Sequence, residues 1–355
     1  MSEPGRSAPP DAAGTAELEQ EGLARAAEAG VHRLSIPTPF AVGRVNAYLI
    51  DDEPLTLVDS GPNSGKALDA LERALAEHGR RVEDLGLLVI THQHIDHLGL
   101  IEILARRSGA DVAALDALAP WAARYPERAD ADDAFAHALM LRHGIPADVA
   151  EALRAVSLAF RGWGSRATIT RPLPDGSELR LRDRTLEVLH RPGHSPSDTL
   201  FFDRERALLL AGDHLLARIS SNPLIALPLD APLEPDAAAR TARQPALSAY
   251  LRSLRATREL PARLTLSGHG PPIVDHVPLI DERVRLHARR AERIFALIAE
   301  QPRNAHEIAH ALWGNVAVTQ AYLTLSEVLG HVDLLLEAGR VSEVDADGVV
   351  RFVAA

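Results

Sequence analysis

The chain has 355 residues, 46% of them hydrophobic, and a formal net charge of −11. That is enough for one large core, or one large and one small, and it disfavours a nonspecific nucleic-acid binder, which needs a basic footprint. With no cysteine, disulfides, thiolate nucleophiles and sulfur metal ligands are excluded.

Residues 1–30 are rich in Ala, Glu, Gly and Pro. They lack the basic start and apolar stretch of a secretory signal. The expectation is a disordered tail running into a short helix, a dispensable extension, with the cytoplasm as compartment. No uncharged apolar run approaches 18 residues, so no membrane partner is expected. Lys66 is the only lysine, which reads as compositional bias.

Asn46 to Asp51 and Leu55 to Asp59 read as strands around the turn Asp52-Glu53-Pro54. Ser60-Gly61-Pro62-Asn63 ends the second. Leu68, Leu71 and Leu75 predict a helix from Ser64 to His78. Leu85 to Ile90 is a continuous apolar run, the pattern of a strand covered on both faces. A helix over Leu98 to Arg107 and a strand over Val112 to Leu115 follow. From Asp116 to about Gly164, Ala, Leu, His and Arg recur at helical spacing, which predicts an all-helical insertion (about 116–165).

Strands resume from Ala167, with Glu178 to Arg182, Thr185 to His190, Leu200 to Asp203 and Ala207 to Leu210. Ser220 to Pro245 reads as a Pro-rich loop, Ala246 to Leu260 as a helix and Leu264 to Ser267 as a last short strand. From Pro278 the order is helix (Leu279 to Ala299), short helix, helix (Ala321 to Ala338), hairpin. Asn304 and Glu307 form a capping-box pattern, and Asp345-Ala346-Asp347-Gly348 is a hairpin turn. Three helices and a β-hairpin is the winged-helix order. The expected division is 1–30 extension, 31–277 catalytic domain and 278–355 winged-helix-like domain.

The strongest chemical signal is Thr91-His92-Gln93-His94-Ile95-Asp96-His97, directly after an apolar strand. Imidazole nitrogens and carboxylate oxygens both reach Zn²⁺ at about 2.0–2.2 Å. Alternate residues of an extended segment point the same way, so His92 and His94 converge on one ion; a tight turn then lets Asp96 and His97 face another. A polar strand-to-helix turn would explain the cluster less well, since ionisable residues are seldom packed this densely without a partner charge. Gly193-His194, Gly212-Asp213 and Gly268-His269 each follow a strand. Each alone is weak, because a lone His or Asp in a loop is usually a surface residue. Their joint occurrence in this order carries the weight.

The HxHxDH cluster, these Gly-His and Gly-Asp elements and Leu57-Val58-Asp59-Ser60-Gly61 resemble the metallo-β-lactamase superfamily over roughly His32 to Pro272. The resemblance implies an α/β fold, an αββα sandwich with the helical insertion and the C-terminal winged-helix domain, and a site at one edge of the two sheets. It implies two divalent ions, with His92, His94 and His194 on the first, Asp96, His97 and His269 on the second, and Asp213 bridging. Zn²⁺ suits this all-N/O set, and Fe or Mn fit it too. Asp59, His190 and His214 would brace ligands from behind; Ser60, Ser195 and Ser197 read as turn residues. Mechanistically, the ions would acidify a bridging water, and Asp96 would orient the resulting hydroxide.

True β-lactamases of the superfamily tend to carry Cys or Ser at the bridging position. Asp213 is instead similar to glyoxalase II, related thioesterases and lactonases, and nucleases. The C-terminal order resembles the β-lactamase-like protein 2 branch. The leading expectation is therefore hydrolysis of a thioester or other activated acyl ester, of hydroxyacylglutathione or acyl-CoA type. The alternative is a metal-dependent ribonuclease or phosphodiesterase; a β-lactamase, a lactonase or a non-catalytic binding protein ranks below. Glu327, Asp333 and Glu337 lie on or near the third C-terminal helix, where a recognition helix normally offers Arg or Lys. Nucleic acid is therefore not favoured as a partner, and the domain reads as a packing or homodimerisation module. Trp121, Tyr125, Phe135, Met140, Phe160 and Trp163, mixed with Arg124, Arg128, Arg142 and Arg161, are expected to line an acyl pocket or to form the insertion's own core.

Overall fold

Chain order and hydrophobic patterning build two sheets back to back. The computed structural model describes residues 12–234 and 241–355. Residues 1–11, where the tail is expected, and 235–240, within the expected Pro-rich loop, lie outside them. The first part runs α1 (Ala12–Glu28), β1 (Val31–Ile36), β2 (Val45–Ile50), β3 (Thr56–Val58), α2 (Gly65–Glu77), β4 (Leu87–Val89), α3 (Ile95–Leu98), α4 (Ile101–Ser108) and β5 (Asp111–Leu115). The insertion holds α5 (Ala119–Ala123), α6 (Tyr125–Arg142) and α7 (Ala147–Phe160), and β6 (Arg171–Leu173) follows. Then come β7 (Glu178–Arg180), β8 (Thr185–His190), β9 (Thr199–Asp203), β10 (Leu208–Gly212), α8 (Ala246–Arg258) and β11 (Leu264–Ser267). The C-terminal part is α9 (His276–Glu300), α10 (Ala305–Trp313), α11 (Val316–Thr319), α12 (Ala321–Glu337), β12 (Val341–Ala346) and β13 (Val349–Ala354).

The first sheet has strand order β1-β2-β3-β4-β5-β6 and the second β11-β10-β9-β8-β7. Tyr48, Ile50, Val58, Leu87 and Val89 of the first sheet pack on Leu179, Val188, Phe201, Leu210 and Leu266 of the second, all buried. On the outer face of the first sheet, Leu71 and Leu75 of α2 and Leu104 of α4 meet Leu34, Leu57 and Leu88. Ser64 starts α2 by accepting the Ala67 N–H on Oγ at 3.1 Å. The arrangement is an αββα sandwich. Among the described residues no helix is long and apolar enough to cross a membrane.

Three expectations change. The N-terminal helix is 17 residues long rather than short, and it is docked: Arg25 donates to the Arg263 carbonyl at 3.0 Å, and Ala26 is buried in the inter-sheet core. A Cβ on Gly22 would stand 2.9 Å from Pro272, so the helix lies against the segment after His269. The helix expected over Leu98 to Arg107 is two, α3 and α4, broken at Gly99. There an added Cβ would collide with the Trp163 carbonyl at 2.3 Å, so the close passage of the insertion's end requires glycine at this position. The strand expected from Ala167 begins only at Arg171 and closes the first sheet beside β5.

The C-terminal part follows the expected order of helices and hairpin. Asn304 Oδ1 accepts from the Glu307 N–H at 2.8 Å, and a Glu307 carboxylate oxygen accepts from the Asn304 N–H at 3.0 Å. Asp347 and Gly348, both at positive φ, turn the hairpin. This part does not stand apart from the insertion. Phe135, Leu139, Met140 and Ile145 of the insertion share one buried core with Ile294, Ile308, Leu325, Leu329 and Phe352.

His143 sits in that junction, stacked on Phe352 with ring centroids 6.0 Å apart. Burial, with Arg243 and Arg142 nearby, holds its pKa down to about 3. The unfolded chain therefore takes up this proton first, so the stability it supports is complete above pH 6.5 and is lost as pH falls toward 3. Between pH 7.5 and 5.5 the loss is on the order of 1 kcal/mol for this one group. A His143→Leu variant should lose that much pH dependence in urea unfolding at the two pH values; an unchanged slope would contradict the assignment.

Candidate metal centre

Strand ends of both sheets deliver the chemistry to one edge. β4 leads into Thr91 to His97; β8 precedes Gly193-His194; β10 ends at Gly212-Asp213; β11 ends at Ser267, before Gly268-His269. All seven expected ligands are brought together. His94 is half-buried and the other six are buried, His92 and His97 completely.

The first group is His92, His94 and His194. His94 Nδ1 stands 3.1 Å from His92 Nε2 and 3.0 Å from His194 Nε2. The second is Asp96, His97 and His269, with His269 Nε2 3.2 Å from Asp96 Oδ2. Asp213 lies between them: Oδ1 is 3.5 Å from His97 Nε2, while Oδ2 is 3.7 Å from His194 Nε2 and 3.4 Å from His269 Nε2. His97 Nε2, His269 Nε2 and Asp213 Oδ1 are buried yet form no hydrogen bond. Buried polar atoms without a partner are costly, and here they converge. A carboxylate facing two imidazole groups is the donor set that fits a pair of divalent cations.

Electrostatics agree. Burial pushes His97 down, but Asp59, Asp213 and Asp96 around it outweigh that and raise its pKa well above the ordinary value. Burial pushes Asp213 up, but His269, His97 and His194 hold it well below the usual carboxylate range. Burial and the neighbouring imidazoles keep His92 neutral, and burial with His194 brings His94 down to about 3. The cleft thus concentrates negative charge, with His92 and His94 neutral and ready to bind a cation, and with His97 and His269 favouring protons that a cation would displace.

The rear of the cluster fixes the tautomers of His92, His97, His194 and His269. Asp59, at the end of β3 with φ 61°, has Oδ2 2.7 Å from His97 Nδ1. It also accepts from the Thr91 N–H at 2.9 Å and the Thr91 hydroxyl at 2.8 Å. With that hydroxyl proton committed, Thr91 Oγ1 receives the His92 Nδ1–H at 3.0 Å, so His92 turns Nε2 inward. His269 Nδ1 donates to the Arg44 carbonyl at 2.8 Å. His194 Nδ1 donates to the Asn222 carbonyl at 3.0 Å, with Ser221 Oγ at 2.9 Å. Gly268 must lack a side chain, because a Cβ there would be 2.3 Å from Asp213 Oδ1.

Sequence reasoning singled out Asp59 but missed Thr91, Ser221, Asn222 and the Arg44 carbonyl. Only Thr91, a hydroxyl touching the motif, carried a local signal. His190 and His214 do not face the ligands. His190 Nε2 donates to the Pro196 carbonyl at 2.9 Å, bracing the His194 turn; His214 Nε2 pairs with Thr257 at 3.0 Å. Ser60 bonds the His97 carbonyl at 2.9 Å, and Ser195 binds the buried Asp198 at 2.7 Å; both are turn residues. Ser197 donates to Gln93 Oε1.

Of the aromatic and methionine side chains expected near a pocket, Trp121, Tyr125, Phe135 and Met140 are buried in cores. Phe160 and Trp163 are half-buried and meet Phe40, from the loop before β2, at centroid distances of 5.7 and 5.5 Å. Three of the four arginines are engaged: Arg128 with the Ala231 carbonyl, Arg142 with Asp345, and Arg161 with Asp130 and Asp133.

Residues 41–269 match the family model "Metallo-beta-lactamase superfamily". The probable metallo-hydrolase YqjP of Bacillus subtilis (strain 168) is 32% identical over 85% of this chain and 91% of its own. The crystal structure of metallo-beta-lactamase family protein TTHA1429 from Thermus thermophilus superposes with a TM-score of 0.74, 29% identity, and coverage of 92% of this chain and 99% of that one. Relatives named for specific reactions are more distant or match shorter stretches. Atrochrysone carboxyl ACP thioesterase of Aspergillus fumigatus is 22% identical over 79% of this chain and 50% of its own. Exodeoxyribonuclease WalJ of Streptococcus pneumoniae is 43% identical over 19% of this chain and 23% of its own. The chain belongs to the metallo-beta-lactamase superfamily and is a metallo-hydrolase by fold.

Because Asp59 holds both His97 and the Thr91 relay to His92, Asp59→Asn should weaken zinc binding about 10- to 100-fold. A competition titration against a chromogenic chelator measures this; wild-type affinity in the variant would contradict the role.

Proposed function

We propose, starting from this membership, that the chain hydrolyses a thioester or another activated acyl ester with two divalent ions held by His92, His94, His194, Asp96, His97, His269 and Asp213. The observation that carries the reading is the placement of Asp213, with one oxygen toward His97 and the other toward His194 and His269. A carboxylate so placed suits two cations sharing one ligand, so water serves as the nucleophile and no protein thiol, absent from this chain, is needed.

When bound, the ions supply Lewis acidity and lower the pKa of water to near neutrality. The chain's own residues do the rest. Asp96 Oδ2 lies 3.2 Å from His269 Nε2, and the Asp96 carboxylate is the group to accept the proton of the attacking water. Asp59, Thr91, Ser221 and the Asn222 and Arg44 carbonyls keep the imidazoles oriented, so little reorganisation is needed during reaction. Phe40, Phe160 and Trp163 give an apolar surface suited to an acyl group and to limiting water. The Trp163 carbonyl accepts from the Asn63 N–H at 2.7 Å, and the Arg44 carbonyl, on the Phe40 loop, accepts from His269 Nδ1.

A relative named as a thioesterase is consistent with an acyl substrate. A phosphodiester substrate is less well supported. Eleven of the seventeen residues of α12, the helix a winged-helix module would lay on nucleic acid, are buried. Two of its three acidic residues are already paired, Glu327 with Arg290 and Asp333 with Arg243.

Free-thiol release from a panel of acyl-CoA and acylglutathione thioesters tests the reading, with no protein thiol to give background. Metal-loaded chain should turn over at least one class. Chelation should abolish turnover, and Asp96→Ala should lower kcat by about 10²–10⁴. No turnover of any thioester by fully metal-loaded chain would overturn the thioester reading and bring phosphodiesters forward.

A further inference from the structure

Segment 213–225 has two working faces. On its inner face, Asp213 is a ligand candidate, Ser221 Oγ donates to the Asp213 carbonyl at 2.5 Å, and the Asn222 carbonyl and Ser221 Oγ receive the His194 Nδ1–H. The Leu224 N–H closes onto the His194 carbonyl at 3.3 Å. His194 thus takes its orientation from these few residues.

On its outer face the same segment is held by the C-terminal helices. Arg283 of α9 donates to the Leu216 and Ala217 carbonyls at 3.4 and 3.3 Å. The Asn222 side-chain amide donates to the Leu323 carbonyl of α12 at 3.1 Å. The Ile225 N–H reaches Ser326 Oγ at 3.4 Å, and the Tyr322 hydroxyl donates to the Ile225 carbonyl. Ile225 is itself buried in the core shared with α12.

A buried histidine pair joins this face. Ser220 Oγ lies 3.4 Å from His287 Nε2, His287 Nδ1 lies 3.2 Å from His331 Nε2, and His331 Nδ1 donates to the Glu327 carbonyl at 2.6 Å. One proton assignment satisfies the chain: Ser220 donates to His287, His287 to His331, and His331 to the backbone. His287, His331 and Glu327 are close enough to hold an ion. However, each imidazole nitrogen already has a partner and the Glu327 carboxylate is taken by Arg290, so the hydrogen-bonded relay accounts for the cluster.

We infer that the C-terminal helices α9 and α12 set the first metal site, by clamping segment 216–225 so that its Asn222 carbonyl and Ser221 hydroxyl hold His194 in place. Asn222, Tyr322 and His287 are positioning residues that act through His194. The inference rests on the reading of His194 as a ligand, and it gives the C-terminal part a function independent of nucleic acid.

The test uses the full chain loaded with zinc and follows chelator-driven release, in which the two groups appear as separate phases. Asn222→Ala and Tyr322→Phe, the latter keeping the ring and losing only the hydroxyl, should speed one phase about tenfold or more and leave the other unchanged. A purely structural role would lower the melting temperature of metal-free protein without separating the phases. His194→Ala, run alongside, should lose one ion outright. If His194→Ala loses its ion while both other variants release zinc at the wild-type rate, the clamp is overturned. If His194→Ala keeps both ions, the ligand assignment fails and the clamp falls with it.

Discussion

Three carboxylates buried within reach of one another, Asp59, Asp96 and Asp213, are the constraint on which the rest of this structure depends. Like charges withdrawn from water repel strongly and are tolerated only with positive charge among them. Without ions, that role falls to protons on His97 and His269, both raised by the surrounding carboxylates against the effect of burial. Divalent cations would replace those protons and engage the nitrogen and oxygen atoms that now face each other without hydrogen bonds. Close glycine contacts, the positive φ of Asp59 and the braced tautomers all hold donors in an arrangement that is favourable only with cations present.

The sandwich makes that arrangement possible. Strands from both sheets end at one edge, so residues far apart in sequence converge without long loops crossing the core. The candidate ligands sit just past strand ends, where the backbone is free to turn and the strands behind it stay rigid. Around this edge the insertion and the C-terminal helices share a single core, with Met140 and Phe135 packed among the same side chains as Leu325 and Phe352. The site therefore has walls built from the whole chain rather than from the sandwich alone.

The ligand cluster and fold class were legible in the sequence because they are written locally. Four metal-competent residues follow an apolar strand, and three short glycine-led elements recur in a fixed order. The Asn304–Glu307 cap was legible for the same reason, being complete within four residues. What was not legible depends on tertiary contacts. Nothing near Asn222 announces that its carbonyl holds His194 or that its amide reaches Leu323, a hundred residues away. The need for glycine at position 99 comes from a carbonyl on the insertion, not from the helix's own residues. The aromatics of the insertion could not be sorted into core and surface by composition; packing buries Trp121 and Phe135 and leaves Phe160 and Trp163 beside Phe40. The N-terminal helix looked dispensable because the segment it docks on lies at the other end of the catalytic region.

The most direct test of the central claim is a metal count by native mass spectrometry on the full chain, loaded with zinc and freed of excess. The account predicts about two ions per chain, as a shared-carboxylate site requires, and loss of at least one in Asp213→Ala. A wild-type chain that retains no ion, or an Asp213→Ala chain that keeps both, would contradict the claim that Asp213 joins two cation sites.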